Sequence, residues 1–201
     1  MEMKLYLAST SKHKSEILTT VHLKHECLSS EHEEYSEQKD VYEYVKELAL
    51  NKALNVKDQV KEGLIIGLDT VNFLDGEIIE KPKDKEEVYK NVESCSGRKY
   101  SVITGVAIVD AKTNEIFNDY AETIISFRNI DEKDLKFYVE NEPHALLPSG
   151  FIVETIMSNF IDKIEGSYYN ILGVPVETIY KIINEMGYNL EDINNKKLVK
   201  S

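Results

Sequence analysis

The segment that most constrains this chain is its N-terminal stretch LYLASTSKHKSEIL, residues 5–18. A short apolar run, three hydroxyl residues, three basic residues and a helix-forming run follow in that order, which predicts a strand, a loop and the start of a helix. Backbone N–H groups and the dipole at a helix N-terminus favour negative charge, and hydroxyl and ammonium groups add to that preference. The loop is therefore a candidate phosphate cradle, although a plain helix cap has a similar sequence.

Composition limits the partners of such a loop. The formal net charge is −12 and 42% of the residues are hydrophobic, so the chain can build a core but lacks the basic surface of a general nucleic-acid or anionic-membrane binder. A polyanionic substrate must then be held by local cations. The N-terminal run contains Glu2 and Lys4 and is too short for a signal or membrane segment. We expect a cytoplasmic protein with no nucleic-acid or membrane partner.

Strand-like and helix-like segments alternate along the chain. Asp40 precedes a run with apolar residues at helical spacing, Asp75-Gly76 predicts a β-hairpin, and Asp84 starts another helix. Long β-rich runs surround AKTN, residues 111–114, and Pro175 precedes a late helix. This order predicts an α/β fold with a mixed sheet wrapped by helices. We expect one domain over residues 1–188 and a polar C-terminal tail over 189–201.

Two charged residues interrupt apolar patterns. Lys52 follows Leu48 by four residues, so its ammonium group lies on the apolar stripe of its helix and either reaches the surface or faces a cleft. Asp69 interrupts the run LIIGLDTV, where a carboxylate is costly unless it is paired or binds a metal ion. A buried salt bridge, a simple turn and a functional site all remain open for Asp69.

Further charged clusters offer candidate ligands. The segment SEHEEYSE contains four glutamates that suit a hard cation such as magnesium or manganese, although most acidic loops of this kind are merely solvated. Cys27 and Cys95 have no metal-ligand spacing and are expected to be free thiols that pack against other residues. The sequence contains no Walker motif, no dinucleotide-binding glycine pattern and no Gly-x-Ser-x-Gly elbow.

Six stretches of the chain, taken together, resemble the Maf family, also called septum-formation inhibitor proteins. They are LASTSKHKSEIL, ELALNKA, GLDTV, DGEIIEKPKD, SGRKYSVITGVAIV and FIDKIEGSYYNILGVPV. The resemblance implies a mixed twisted sheet flanked by helices, with two lobes around a deep nucleotide cleft, and frequent homodimerisation. It also implies a nucleoside triphosphate pyrophosphatase that converts a non-canonical or modified nucleotide into its monophosphate and pyrophosphate with metal-activated water.

The resemblance also assigns residues to that reaction. Lys52 and Lys81 would hold and neutralise the triphosphate, and Asp69 would bind metal or orient the attacking water. Glu34, with Glu33 beside it, would complete a site for Mg²⁺, Mn²⁺ or another divalent cation. The residues expected to contact substrate are Ser9, Ser11, Lys12, His13, Lys14, Arg98, Thr104 and Glu154, of which Arg98 and Thr104 equally suit a supporting role.

The chain departs from the family pattern at two places. Lys12, His13 and Lys14 stand where relatives usually have a proline and one or two arginines, so point charges replace bidentate clamps. Glu154 aligns with the base-reading position, where pyrimidine-selective relatives tend to have Gln. A carboxylate there can accept hydrogen bonds from N1 and N2 of guanine, but it could equally cap a strand or pair with Lys163.

Two other functions remain open at this stage. The first loop also resembles that of inosine/xanthosine triphosphate pyrophosphatases, although ILGVP and EKPKD favour the Maf family. Alternatively, the altered loop could belong to a catalytically weakened nucleotide-binding regulator of cell division. Metal-dependent release of pyrophosphate separates an enzyme from such a regulator.

Overall fold

The computed structural model of the protein describes residues 3–29, 35–146 and 149–194. Glu33 and Glu34, the predicted metal-binding acids, lie outside the described residues. Within the described part of the chain, no helix is long and apolar enough to cross a membrane.

Strands and helices alternate along the described residues. The strands are β1 (Leu5–Leu7), β2 (His25–Cys27), β3 (Leu64–Leu74), β4 (Glu77–Ile79), β5 (Lys99–Asp110), β6 (Ile116–Phe127) and β7 (Ile161–Glu165). The α-helices are α1 (Lys12–Thr20), α2 (Val41–Asn55), α3 (Lys85–Cys95), α4 (Glu132–Asn141), α5 (Tyr168–Ile171), α6 (Val176–Glu185) and α7 (Leu190–Asn194). Two short 3-10 helices cover Lys57–Gln59 and Ile156–Phe160.

The seven strands form one mixed sheet with the order β2-β1-β3-β5-β6-β7, and β4 pairs with β3 outside that order. Strand β1 runs parallel to both β2 and β3, whereas β4 is antiparallel to β3 and β7 is antiparallel to β6. Parallel neighbours joined by helices occur beside antiparallel hairpins, as the alternating sequence pattern indicated. The predicted α/β class with a mixed sheet and flanking helices is confirmed.

The chain forms two compact units. The first comprises residues up to 70, residues 104–121 and residues from 172 onward, and the second comprises 71–103 and 122–171. In the first unit, Ala8, Ile65 and Val109 are buried in one apolar cluster. The segment predicted as a polar tail contributes α7 to this unit, where Ile193 is buried. The core of the second unit includes the stacked rings of Tyr100, Phe127 and Phe151, whose centroids lie 5.0–6.2 Å apart.

Local sequence signals determine most of the element boundaries. The Asp40 carboxylate accepts hydrogen bonds from two N–H groups in the first turn of α2, both at 3.0 Å, and the Asp84 carboxylate caps α3 by accepting one, from the N–H of Glu87 at 2.9 Å. Asp75 and Gly76 have φ angles of 51° and 93°, the left-handed conformation that a tight hairpin between β3 and β4 requires. The predicted helix starts and the predicted hairpin are confirmed. The Glu87 carboxylate adds a hydrogen bond from the N–H of Lys83, the residue before the cap.

Helix α2 lies against the sheet at two glycines. A Cβ atom added to Gly67 on β3 would overlap the carbonyl oxygen of Ala49, and one added to Gly105 on β5 would overlap that of Val45. Both glycines are therefore needed because a helix backbone approaches a strand backbone closely, not because of an unusual φ angle. This contact fixes the distance between α2 and the two central strands.

Burial makes Cys95 chemically inert in the folded protein. Its thiol is at the end of α3 and fully buried, whereas Cys27 is exposed on β2. Burial raises the pKa of the Cys95 thiol from 9.0 to about 12, against a smaller opposing effect of its hydrogen bond with Ser94. Since the thiolate is the nucleophile, Cys95 cannot serve as one near neutral pH.

We predict that Gly67→Ala lowers the free energy of unfolding by about 3 kcal/mol or more, because the added methyl group overlaps the helix backbone. The matched control is Gly187→Ala, where φ is +89° and no atom lies within 4 Å of the added Cβ, so that only about 1 kcal/mol of backbone strain is expected. Chemical denaturation of both variants measures the difference. Equal losses would contradict the proposed close contact.

We predict that a thiol reagent modifies one cysteine in the native protein and two in the denatured protein, because the exposed Cys27 is accessible and the buried Cys95 is not. The variant Cys27→Ser should therefore show no reaction until it unfolds. Rapid modification of native Cys27→Ser would show that the environment of Cys95 is open.

Candidate functional site

An ion pair between α2 and β3 forms the centre of the candidate site. The Lys52 ammonium donates a hydrogen bond of 2.6 Å to Oδ1 of Asp69, and the two side chains are only 17% and 7% exposed. Alternation along β3 places Asp69 on the same face as Gly67, which is the face that α2 covers. The close packing of α2 thus brings a helix cation to a strand carboxylate, and a buried salt bridge, one of the alternatives for Asp69, is present.

The N-terminal loop approaches the same part of β3. Ser11 caps α1 by accepting a hydrogen bond from the N–H of Lys14, and the Ser9 hydroxyl accepts from the N–H of Ser11 at 3.2 Å. The Lys14 ammonium donates to the carbonyl oxygen of Leu68 at 3.3 Å. This contact places the Lys14 ammonium on the carbonyl oxygen one residue before Asp69.

The three basic residues of the loop do not act as one group. Lys12 and His13 are exposed, whereas Lys14 is half-buried. Lys12 lines a shallow depression together with Cys27 on β2, and so it belongs to a different face of α1 from Lys14. The structure therefore associates Lys14, and not Lys12, with the strand that bears Asp69.

Two threonine hydroxyl groups are in contact on the face of β3 opposite to Asp69. Thr70 Oγ1 and Thr104 Oγ1 lie 3.0 Å apart on neighbouring strands, and Thr104 is fully buried. A Cβ at Gly173, where φ is +75°, would come within 3.0 Å of Thr70 Oγ1 and 3.5 Å of Cε of Lys14. Burial of Thr104 suits a supporting role more than contact with substrate. Sequence reasoning had not singled out Thr70 or Gly173, although both belong to the quoted stretches GLDTV and ILGVP.

The remaining predicted site residues belong to the second unit. Lys81 is exposed just after β4, and Glu154 is exposed in the turn before Ile156–Phe160. Arg98 forms an ion pair with Asp75 of the hairpin turn and donates to the carbonyl oxygen of Ser94 at 3.2 Å, contacts that connect structural elements.

The sequence also left Lys163 open as an ion-pair partner of Glu154, but Lys163 pairs with a different carboxylate. The ammonium of Lys163 donates a hydrogen bond of 2.8 Å to Glu165 on the same strand. Burial raises the pKa of the Tyr168 phenol, and the negative charge of Glu154 raises it further.

Asp69 is the predicted metal ligand that lies among the described residues. Among the described residues, no three His, Cys, Asp or Glu side chains are grouped as metal ligands would be. Magnesium is commonly bound by one or two carboxylates together with substrate phosphates, and not by a cage made only of protein ligands. Asp69 offers a carboxylate of the kind that such a site uses, and its Oδ1 accepts a hydrogen bond from Lys52.

Comparison with known proteins places the chain in a family. The family model described as "Maf-like protein" matches residues 4–186. The "dTTP/UTP pyrophosphatase" of Clostridium tetani is 33% identical over 192 residues, covering 94% of this chain and all of that protein. The protein of the same name from Clostridium acetobutylicum is 34% identical over 199 residues, again covering 94% of this chain and all of the relative.

A solved structure with weaker similarity is the nucleoside-triphosphatase / dITP/XTP pyrophosphatase from Mycobacterium abscessus. Its TM-score is 0.42 and its sequence identity 17%, over 64% of this chain and 76% of that one. The family assignment depends instead on the match over residues 4–186 and on relatives that are matched over their whole length. The resemblance seen in the sequence is thereby confirmed, and the chain belongs to the Maf-like protein family.

Proposed function

We propose that this protein is a nucleoside triphosphate pyrophosphatase that hydrolyses the bond between the α and β phosphates. Membership of the Maf-like family and the names of its relatives support this class of enzyme, a hydrolase acting on acid anhydrides. The observation that carries the proposal is the Lys52–Asp69 ion pair with the Lys14 ammonium on the adjacent carbonyl. A fixed carboxylate can orient a water molecule, and fixed cations stabilise the negative charge on phosphate oxygens in the transition state.

The chain's own residues have distinct tasks in this reaction. Asp69 accepts a hydrogen bond from the attacking water and takes up its proton as the oxygen joins phosphorus. Lys52 holds the carboxylate in place and, with Lys14 and the N–H groups that begin α1, stabilises negative charge on the phosphate oxygens. The anhydride bond breaks and pyrophosphate leaves with the bridging oxygen, so no covalent intermediate with the protein is needed.

Magnesium fits this scheme as a cofactor. Asp69 would hold the ion together with substrate phosphates, and Glu33 and Glu34 are proposed as further ligands from the sequence. Magnesium supplies a positive charge that polarises phosphoryl oxygens and stabilises the transition state. The homodimer, the cytoplasmic location and the absence of nucleic-acid and membrane partners stay predictions from the sequence.

Two observations bear on which base the enzyme prefers, and they favour different bases. Relatives of 33% and 34% identity are named dTTP/UTP pyrophosphatases, which favours a thymine or uracil base. Glu154 can accept one hydrogen bond from N3–H of these bases, but it can accept two from the N1 and N2 donors of guanine. We propose dTTP and UTP as substrates, with a guanine-type or otherwise modified nucleotide as the alternative that Glu154 specifically favours.

We predict that the protein releases pyrophosphate and monophosphate from dTTP and UTP, and that Asp69→Asn lowers kcat at least roughly a hundredfold, since it removes a positioned base. The panel should include GTP, methylguanine, inosine and xanthosine triphosphates. Asp110→Asn is the matched control, because Asp110 is also buried in the first unit but accepts hydrogen bonds from a turn between β5 and β6.

The outcomes of this panel separate the candidate functions. Preference for guanine-type bases would support the interpretation of Glu154, and preference for inosine or xanthosine triphosphate would favour the related enzyme family. Binding of triphosphates without turnover by any of them would contradict the enzyme and favour a nucleotide-binding regulator. Near-normal turnover by Asp69→Asn would contradict the role of that carboxylate.

We predict that chelation of divalent cations abolishes turnover and that added magnesium restores it, because the metal is bound with substrate. Without nucleotide, chelation should leave the thermal midpoint of unfolding unchanged, since the proposed ion is bound together with substrate. Turnover and thermal unfolding with and without chelator measure both effects. Full activity in excess chelator would contradict a role for the metal.

A further inference from the structure

One side-chain amide in the second unit holds two separate loops. Asn91 lies on α3, and its Nδ2 donates hydrogen bonds to the carbonyl oxygens of Glu80, at 3.1 Å, and Ser149, at 3.0 Å. Both partners can only accept, so the NH₂ group must face them. An amide NH₂ has two N–H donors, and each is used on a different loop.

The two loops lead to residues to which the family resemblance assigns different parts of the substrate. Glu80 directly precedes Lys81, the cation proposed for the triphosphate. Ser149 begins the segment that leads to Glu154, the residue proposed to read the base. Asn91 is not itself assigned a contact with the triphosphate or the base, and its side chain donates hydrogen bonds to main-chain oxygen atoms.

The second loop is also fixed from the other side. The buried Tyr138 hydroxyl donates to the carbonyl oxygen of Gly150 at 2.8 Å and accepts from the N–H of Ile152 at 3.2 Å. A Cβ at Gly150, where φ is +100°, would lie 3.5 Å from Cβ of Asn91, so this loop packs directly on α3. The segment that leads to Glu154 is therefore held in place by Asn91 together with Tyr138.

We propose that Asn91 is a positioning residue that couples the triphosphate-binding Lys81 to the base-reading Glu154. This inference rests on the proposed function. Asn91 does not contact substrate; it holds the main chain beside each residue in the conformation that binds nucleotide. Base discrimination and triphosphate affinity are consequently linked through one amide group.

The decisive variant is Asn91→Asp, which keeps the shape of the side chain. It replaces the NH₂ group by a carboxylate oxygen, which cannot donate to the two carbonyl oxygens and is repelled by them. We expect KM for the preferred triphosphate to rise roughly tenfold, and the ratio of kcat/KM between preferred and rejected bases to fall by a similar factor. The matched control is Asn141→Asp, since the Asn141 amide donates to Phe137 on the exposed surface of α4. That control should keep the wild-type KM and base ratio.

A second set of variants keeps the proposal testable if Asn91→Asp folds poorly. Asn91→Ala removes the N–H donors without adding repulsion, and it should raise KM in the wild-type protein. In a Lys81→Ala background it should not raise KM further, because both changes affect the same contact between Lys81 and the triphosphate. The base ratio is the readout that a merely structural role would leave unchanged.

The results distinguish this proposal from the proposed function. If the wild-type protein turns over triphosphates and the Asn91 variants keep its KM and base ratio, the positioning role is overturned and the enzyme stands. Independent, multiplicative effects of Asn91→Ala and Lys81→Ala would likewise overturn the coupling. If the wild-type protein turns over no triphosphate, both proposals fail.

Discussion

The contact between the backbone of α2 and the central strands determines the geometry of the first unit. Gly67 and Gly105 leave no side chain between helix and sheet, so carbonyl groups of α2 approach the strands directly. Lys52 extends from this helix, and Asp69 lies two residues beyond Gly67 on the strand face that the helix covers. A larger residue at either glycine would separate the helix from the sheet and lengthen the 2.6 Å ion pair. The charged site therefore depends on two residues that carry no functional group.

An acidic protein can bind a polyanion when its cations are few and fixed. The chain has a net charge of −12, and long-range attraction of a triphosphate is therefore not available. Lys14 and Lys52 are instead held at short range by a carbonyl and by a carboxylate. Both contacts orient the ammonium groups before substrate arrives, so less conformational entropy is lost on binding. Lys12 and His13, by contrast, are exposed.

Local signals were sufficient to predict where elements begin and end, because they act within a few residues. Asp40 and Asp84 cap helices as their sequences indicated, and Asp75-Gly76 forms the expected hairpin. The sequence also identified Lys52 and Asp69 as residues that break apolar patterns. Their partnership could not be derived from periodicity, since it depends on a helix meeting a strand 17 residues away along the chain.

The contacts that sequence reasoning missed are polar and link residues far apart. Thr70 and Thr104 are 34 residues apart, and Asn91 and Ser149 are 58 apart. None of these side chains breaks a pattern at its own position, because a threonine in a strand or an asparagine on a half-buried helix face is ordinary. The role of such residues can be recognised only from the fold, which shows the hydrogen-bond partners of their side chains.

Under the proposed function, fixed polar contacts within each unit orient the lysines that bind phosphate. A lysine has a flexible stem and binds phosphate without the bidentate geometry of arginine, so its precision must come from its surroundings. In the first unit, Lys52 receives that precision from Asp69. In the second unit, the main chain beside Lys81 receives it from the Asn91 amide. The cost of ordering these groups is met during folding, which leaves more of the binding free energy for the reacting phosphates.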